Sequence, residues 1–391
     1  MSKPANRSHK AATRIVNAGR SPFDNNGAVN PPVYHASTIL HRTVDALENK
    51  GQPYTYGRRL TPTIEALQTA ICDLEGGAGT VLCPSGLQAC TLAILSTVSA
   101  GDHLLVTDSV YGPTRTFCDK TLARFGVSTT YFDPLIGSGI DKLFRANTKA
   151  VFTESPGSLT FEIQDVPAIA ACAHAHNAAV IMDNTWATPF FFNAFDHQVD
   201  ISVMAATKYI VGHSDAMMGT VTANDKYLKQ LRDTHGNLGL TAGPDDIYLA
   251  QRGLRTLHIR LKQHEATALT LAKWLKARPE VTRVLHPAMT DCPGHETWKR
   301  DFTGSSGLFS IELKPEISKS AIAAMLDGLE LFGMGWSWGG FESLIVTAHP
   351  PRTATKPASS GPLLRIQAGL EDVSDLIADL DAGFGRLGKA A

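Results

Sequence analysis

The chain has little charge and no excess of either sign. Lys, Arg, Asp and Glu make up 19% of its 391 residues, below the roughly 25% usual for globular proteins, so much of the surface is expected to be covered by a cofactor, a partner subunit or packed helices. With 36 basic against 37 acidic residues the net charge is -1. No global field exists to hold a nucleic acid or an anionic membrane, and both partner classes are set aside. No run approaches the roughly 18 apolar residues of a membrane helix, and Met1-Ser2-Lys3-Pro4-Ala5 lacks the apolar core of a signal peptide. No acidic residue precedes Asp24, while Lys3, Arg7, Lys10 and Arg14 are basic, a faint echo of a transit peptide in a stretch too short and too Pro-interrupted to weigh much. A cytoplasmic protein is expected. The six cysteines (Cys72, Cys83, Cys90, Cys118, Cys172, Cys292) form no C-x-x-C pair and have no His at zinc spacing; they read as free thiols, with no metal site.

What is present has a clear order. Residues 1 to 58 are rich in Pro, Asn and Gly, with Asn30-Pro31-Pro32-Val33-Tyr34 in the middle, and predict an extended arm that needs another surface to lie on. From 59 to 245 short apolar runs alternate with helical patterns, which predicts an α/β domain with a largely parallel sheet and helices on both faces. A long helical pattern from Asp245 to Arg278 then bridges to a smaller α+β domain, residues 246 to 391. Thr353 to Gly361 reads as a mobile loop.

Two apolar runs carry the chemistry. Ala179-Val180-Ile181-Met182 ends on Asp183, and Ile201-Ser202-Val203-Met204-Ala205-Ala206 ends on Thr207-Lys208, at the strand ends where α/β sheets bind ligands. A structural ion pair is one reading. The other is a pyridoxal phosphate (PLP) site, which needs a lysine to form a Schiff base and a carboxylate to hold the pyridine nitrogen protonated. Cys83-Pro84-Ser85-Gly86-Leu87 passes from strand to helix and is either a plain N-cap or a phosphate seat. Tyr111 either stacks on a flat ring or is half-buried before a Pro-initiated helix. Tyr54-Thr55-Tyr56-Gly57-Arg58-Arg59 is either a solvated basic turn or an anion site. Arg365, inside Leu363-Leu364-Arg365-Ile366, must be paired if buried, and a substrate carboxylate is one partner. Gly335-Trp336-Ser337-Trp338-Gly339-Gly340-Phe341-Glu342-Ser343 either lines a pocket or places Trp336 or Trp338 in the core. His174 and His176 are two apart on a helix and do not share a face, and Gly76-Gly77-Ala78-Gly79 lacks the flanking strand and helix of a nucleotide fingerprint.

Together these segments resemble the Cys/Met-metabolism family of PLP enzymes. The resemblance runs from Thr13-Arg14 and Asn30-Pro31-Pro32-Val33-Tyr34 through Tyr56-Gly57-Arg58-Arg59, Ser85-Gly86, Asp183-Asn184-Thr185, Ala206-Thr207-Lys208-Tyr209 and Gly212-His213-Ser214 to Arg252-Gly253-Leu254-Arg255-Thr256 and Arg365. Its γ-lyases and γ-synthases have a Ser-Leu-Gly-Gly loop where this chain has Ser337-Trp338-Gly339-Gly340, as β-lyases do; Asp183-Asn184-Thr185-Trp186 and Gly212-His213-Ser214-Asp215 point the same way. Ala205 departs from a Ser that donates to the phosphate in many relatives, and Leu87 from a common Met.

The resemblance implies a fold-type-I α/β architecture: a large domain with a mostly parallel mixed sheet, a smaller C-terminal α+β domain and an extended arm. It makes Lys208 the Schiff-base lysine and Asp183 the partner of the pyridine nitrogen. Ser85, Gly86, Leu87 and Thr207 would hold the phosphate, and Tyr111 would stack on the ring and take part in catalysis. Ser337 and Arg365 would hold the substrate carboxylate, with Trp338 and Arg59 also on the substrate. Tyr56 and Arg58 would reach the phosphate of a neighbouring subunit, so an active dimer is the minimum unit and a tetramer typical. The implied activity is β-elimination from the amino-acid thioether L-cystathionine, in methionine biosynthesis. A broader cysteine-S-conjugate β-lyase, a γ-lyase and a non-catalytic PLP-binding protein are the alternatives.

Overall fold

Seven strands, buried on both faces for most of their length, build the larger sheet: β1 (Gly79–Cys83), β2 (His103–Thr107), β3 (Ser128–Phe132), β4 (Thr148–Glu154), β5 (Ala179–Asp183), β6 (Ile201–Met204) and β7 (Gly219–Ala223). Their order in this computed structural model, which describes residues 9–49, 51–356 and 361–389, is β1-β7-β6-β5-β4-β2-β3. β3, β2, β4, β5 and β6 run parallel, and β7 is antiparallel to both β6 and β1. Side-chain alternation distributes each strand between two cores. Val180 and Met182 of β5 join one cluster with Val151 and Leu105, while Ala179 and Ile181 join the opposite one with Phe152 and Val106. The α/β expectation, with helices on both faces of a mostly parallel sheet, is met.

A smaller, wholly antiparallel sheet has the order β10-β11-β9-β8, from β8 (Val281–Leu285), β9 (Leu308–Leu313), β10 (Leu344–Ala348) and β11 (Leu363–Gln367). Between the sheets runs a helix of 33 residues, Pro244–Lys276, about 50 Å long at 1.5 Å per residue. Ile247, Leu254, Leu257 and Leu261 of its first half lie in a core with Ile15, Leu67 and Tyr209, whereas Ala268, Leu271 and Leu275 of its second half lie in the core of the small sheet. One helix thus fixes the two sheets relative to each other.

Two stretches differ from expectation. The first part of the predicted arm holds a helix, Ala11–Asn17, with Ile15 fully buried. Arg255 Nη1 donates to the carbonyls of Ile15 (2.5 Å) and Ala18 (2.8 Å), acceptors a short helix end cannot satisfy itself. Two apolar residues, Ile15 and Val16, are too few to stand out in a Pro- and Asn-rich composition. Farther along, Phe23, Leu40, Val44 and Leu47 remain exposed. The predicted mobile loop, Thr353 to Gly361, is anchored where it is described: the backbone N–H groups of Thr353, Ala354 and Thr355 all donate to Asp108. Residues 357–360 of that loop lie outside the described residues, as do the N-terminal Met1 to Ala5 and Arg7. Among the described residues no helix is long and apolar enough to cross a membrane.

Candidate active site

The parallel strands deliver their chemistry at one rim. β4, β5 and β6 are adjacent, and Glu154 and Asp183 face each other in register at the carboxyl ends of β4 and β5. Asp183 Oδ1 accepts from the N–H (3.0 Å) and hydroxyl (2.5 Å) of Thr185, and Oδ2 accepts from the thiol of Cys90 at 3.6 Å. Thr185 Oγ1 also accepts from Ala205 N at 2.8 Å, stapling the end of β5 to the turn that carries Lys208. Burial pushes the Asp183 carboxyl up; the Thr185 donors, Cys90 and the Lys208 charge pull it back without cancelling the rise.

Lys208 Nζ donates to Ser337 Oγ at 2.9 Å and stands 5.1 Å from the centre of the Trp338 ring. Burial, helped by the Arg365 charge and opposed by Asp183, lowers the ammonium to about 8. Such a lysine is neutral often enough near physiological pH to act as a nucleophile or base. The glycine-rich loop presses directly on it. Gly339 has φ +82°, and a Cβ there would stand 3.0 Å from Tyr209 N and 3.1 Å from Lys208 Cα, so both conformation and space call for glycine. Trp338 is half-buried with its ring 5.5 Å from that of Tyr209, whereas Trp336 is 81% exposed. Arg365 is buried, and its Nη2 donates to the carbonyls of Gly335 and Ser337, both at 3.0 Å. Carbonyl dipoles orient the guanidinium but do not neutralise its charge, and a carboxylate is the partner that would.

On the other side of Lys208 the helix Gly86–Leu95 begins, capped by Ser85 Oγ, which accepts from Gln88 N at 3.1 Å. A Cβ on Gly86 would collide with the Cβ of Ala205, and one on Gly219 with the Ser85 carbonyl. The helix terminus therefore meets the Lys208 turn with only the Ala205 methyl between them, and its first N–H groups have no partners within the helix. An anion fits this end. Thr207 Oγ1 donates to Met218 O (3.1 Å) and accepts from Met218 N (2.9 Å), so its hydroxyl is engaged with backbone. Leu87 is partly exposed beside it. Tyr111 is 45% exposed, with its phenol pushed up by burial and its N–H donated to Glu154 Oε2 at 2.7 Å.

The structure therefore brings together Ser85, Gly86, Asp183, Thr207, Lys208, Ser337, Trp338 and Arg365. It takes Tyr56, Arg58 and Arg59 elsewhere on the same chain. Arg58 Nη1 donates to Gly236 O at 3.1 Å, the Arg59 guanidinium lies against the Cα of Gly236, and Tyr56 pairs with Thr38. Three residues at the site escaped the sequence reading. Cys90 resembles any helix-buried thiol, and Asp108 a turn residue. Glu154 ends an apolar strand just as Asp183 does, a signal that was there to be read.

The donors match a PLP molecule part by part: an amine lowered for condensation, a buried carboxylate with one oxygen free of hydroxyl donors for the ring nitrogen, and an open helix terminus for the phosphate. Comparison with known proteins agrees. The cystathionine β-lyase MetC of Escherichia coli is 48% identical over 97% of this chain and 99% of its own. An L-alanine/L-glutamate racemase of Wolbachia pipientis is 40% identical over 97% and 98%. The crystal structure of cystathionine γ-lyase from Lactobacillus plantarum, complexed with L-serine, superimposes with a TM-score of 0.90 over 97% of this chain and 100% of that one, at 30% identity. A model of the Cys/Met metabolism PLP-dependent enzymes matches residues 12–385, and with the site's donors arranged as they are the chain belongs to that PLP-dependent family.

Proposed function

We propose that this protein cleaves the Cβ–S bond of L-cystathionine, releasing homocysteine and, after water is taken up, pyruvate and ammonia. The observation that carries this reading is the seating of Ser337 between Lys208 and Arg365, on a loop whose next residue is Trp338. Bound PLP would supply an aldehyde that condenses with the substrate amine and a ring that takes up the electron pair of the α-carbon.

The chain's own residues do the rest. Arg365 and Ser337 orient the α-carboxylate, which turns the Cα–H bond toward Lys208. Lys208, lowered to about 8, takes that proton and can return it to the departing sulfur. A thiolate, whose conjugate acid has a pKa of about 8.5, leaves far more readily than an alkoxide. Asp183 would hold the ring nitrogen, Tyr111 would cover the ring, and Ser85, Gly86, Leu87 and Thr207 would hold the phosphate. Removal of a further proton from Cβ, needed for γ-cleavage, is disfavoured by the indole of Trp338 beside Lys208.

Tyr56, Arg58 and Arg59, displaced from the chain's own site, would complete the site of a second copy, and the exposed Phe23, Leu40, Val44 and Leu47 would give the arm its hold on that copy. This supports a homodimer or homotetramer with shared sites, an arm over residues 1–58, a PLP-binding region over 59–245 and a smaller one over 246–391. A cytoplasmic location fits the six free thiols. The test is a panel of L-cystathionine, cysteine S-conjugates, L-methionine, L-alanine and L-glutamate given to the PLP-loaded protein. Stoichiometric pyruvate and thiol from L-cystathionine are expected; 2-oxobutanoate, or racemised alanine or glutamate as the dominant product, would overturn the reading.

A further inference from the structure

Asp108 is fully buried just beyond β2, three residues before Tyr111. Its carboxylate accepts from Arg115 Nη2 at 2.6 Å. It also gathers the 353–355 segment between β10 and β11: Oδ1 accepts from Thr353 N (3.0 Å) and Thr353 Oγ1 (3.1 Å), and Oδ2 from Ala354 N (3.0 Å), Thr355 N (2.8 Å) and Thr355 Oγ1 (2.9 Å). Arg115 closes the ring by donating Nη1 to Thr353 Oγ1 at 3.1 Å, and its guanidinium lies 3.7 Å from the centre of the Tyr131 ring. The neighbouring Arg352 pairs with Glu162 at 2.8 Å.

Burying an ion pair is expensive, and an apolar contact of equal volume holds two segments together at least as well. What a multiply bonded carboxylate adds is a fixed separation. The two segments it joins are the loop of Tyr111 and the stretch that follows β10, and β10 pairs with β11 so that Val346 lies opposite Arg365.

We propose that Asp108 is a positioning residue that sets the spacing between Tyr111 and the β10–β11 pair that carries Arg365; this rests on the β-elimination reading for its kinetic part only. Burial pushes its carboxyl up, but the Thr353 and Thr355 donors and Arg115 outweigh burial and hold it at about 2, so the clasp is charged at every working pH.

The test uses the full-length, PLP-loaded protein. Asp108→Asn keeps the shape but turns an amide NH₂ toward N–H donors. A misplacement of the order of 1 Å costs as much as about 100-fold. The expected result is a fall of about 10- to 100-fold in kcat/KM for L-cystathionine, larger in KM than in kcat, with weaker visible circular dichroism of the bound PLP at unchanged PLP content. The pair Thr353→Val with Thr355→Val removes two hydroxyl donors and the acceptor of Arg115 Nη1, and spares the charge and the backbone N–H bonds. It is expected to move both readouts the same way by less, and it serves should Asp108→Asn fail to fold. Asp381→Asn, which breaks the Arg278 pair at the edge of the small-sheet region (2.6 Å), is the stability control. If the Asp108 and threonine variants lower the melting temperature but leave KM, kcat and dichroism within twofold, as the control does, the residue is merely structural and the proposal falls. If the parent protein does not cleave L-cystathionine, the activity reading falls while the dichroism still decides the role of Asp108.

Discussion

Lys208 and Arg365 meet on one residue: the ammonium donates to the hydroxyl of Ser337 and the guanidinium to its carbonyl. Two cations share a buried cleft whose near carboxylate, Asp183, is already held by Thr185. Their repulsion helps hold the Lys208 ammonium at about 8, and it is relieved when a substrate carboxylate arrives. The same arrangement thus prepares the lysine to react and the cleft to bind an amino acid.

The lysine's lowered value predicts how the apoprotein takes up its cofactor. With a value near 8 about one Lys208 in ten is neutral at pH 7, against about one in three thousand for an ordinary lysine. The rate of PLP capture, followed by the visible absorption of the bound form, should rise with pH to half-maximum near 8. A rise that continues unbroken toward pH 10 would mean that burial and Arg365 do not act on Lys208 as described.

Replacing Arg365 tests the other half of the relationship. Arg365→Ala should raise KM for L-cystathionine about 10- to 100-fold, the usual worth of a charge-assisted pair. It should also move the midpoint of PLP capture upward, because the repelling charge is gone. A raised KM with an unmoved midpoint would separate the two roles and remove the electrostatic one.

Lys208→Ala removes the amine that the cleft is arranged around. Turnover should fall to near the detection limit, and PLP bound to the variant should be lost on desalting while the wild-type protein retains it. Full activity in the variant would end the assignment of Lys208.

How much of this was legible in the sequence depends on the range of the contacts. Asp183 and Lys208 could be read because each ends an apolar run, and parallel strands place such ends on one rim. Ser85 and Gly86 were visible for the same local reason, a strand turning into a helix. Arg365 announced itself as a charge inside an apolar strand. Asp108 did not, because all its partners but Arg115 come from 245 to 247 residues away, and Thr353 to Gly361 looked loose for the same reason. Tyr56, Arg58 and Arg59 show the opposite case: their sequence signal points to an anion that the single chain does not bring to them.

Glu75 offers a last test, of stability rather than activity. It is fully buried at the end of the helix Pro62–Glu75, with one carboxyl oxygen accepting from Ser202 Oγ at 3.1 Å and the other without a hydrogen-bond partner among the described residues. Burial, only partly offset by the Ser202 hydroxyl, raises its carboxyl to about 8. In the unfolded chain the same group titrates near about 4.3. Between these values the folded protein holds a proton that the unfolded chain has released, so the contribution of Glu75 to stability falls as pH rises through that window and levels off above 8. Glu75→Gln keeps an acceptor for Ser202 and cannot ionise. Its melting temperature should exceed that of the parent by a few degrees at pH 8, and the difference should shrink steadily toward pH 4.5. A difference that stays the same at both ends of this range would show that the side chain's shape, and not its proton, decides its contribution.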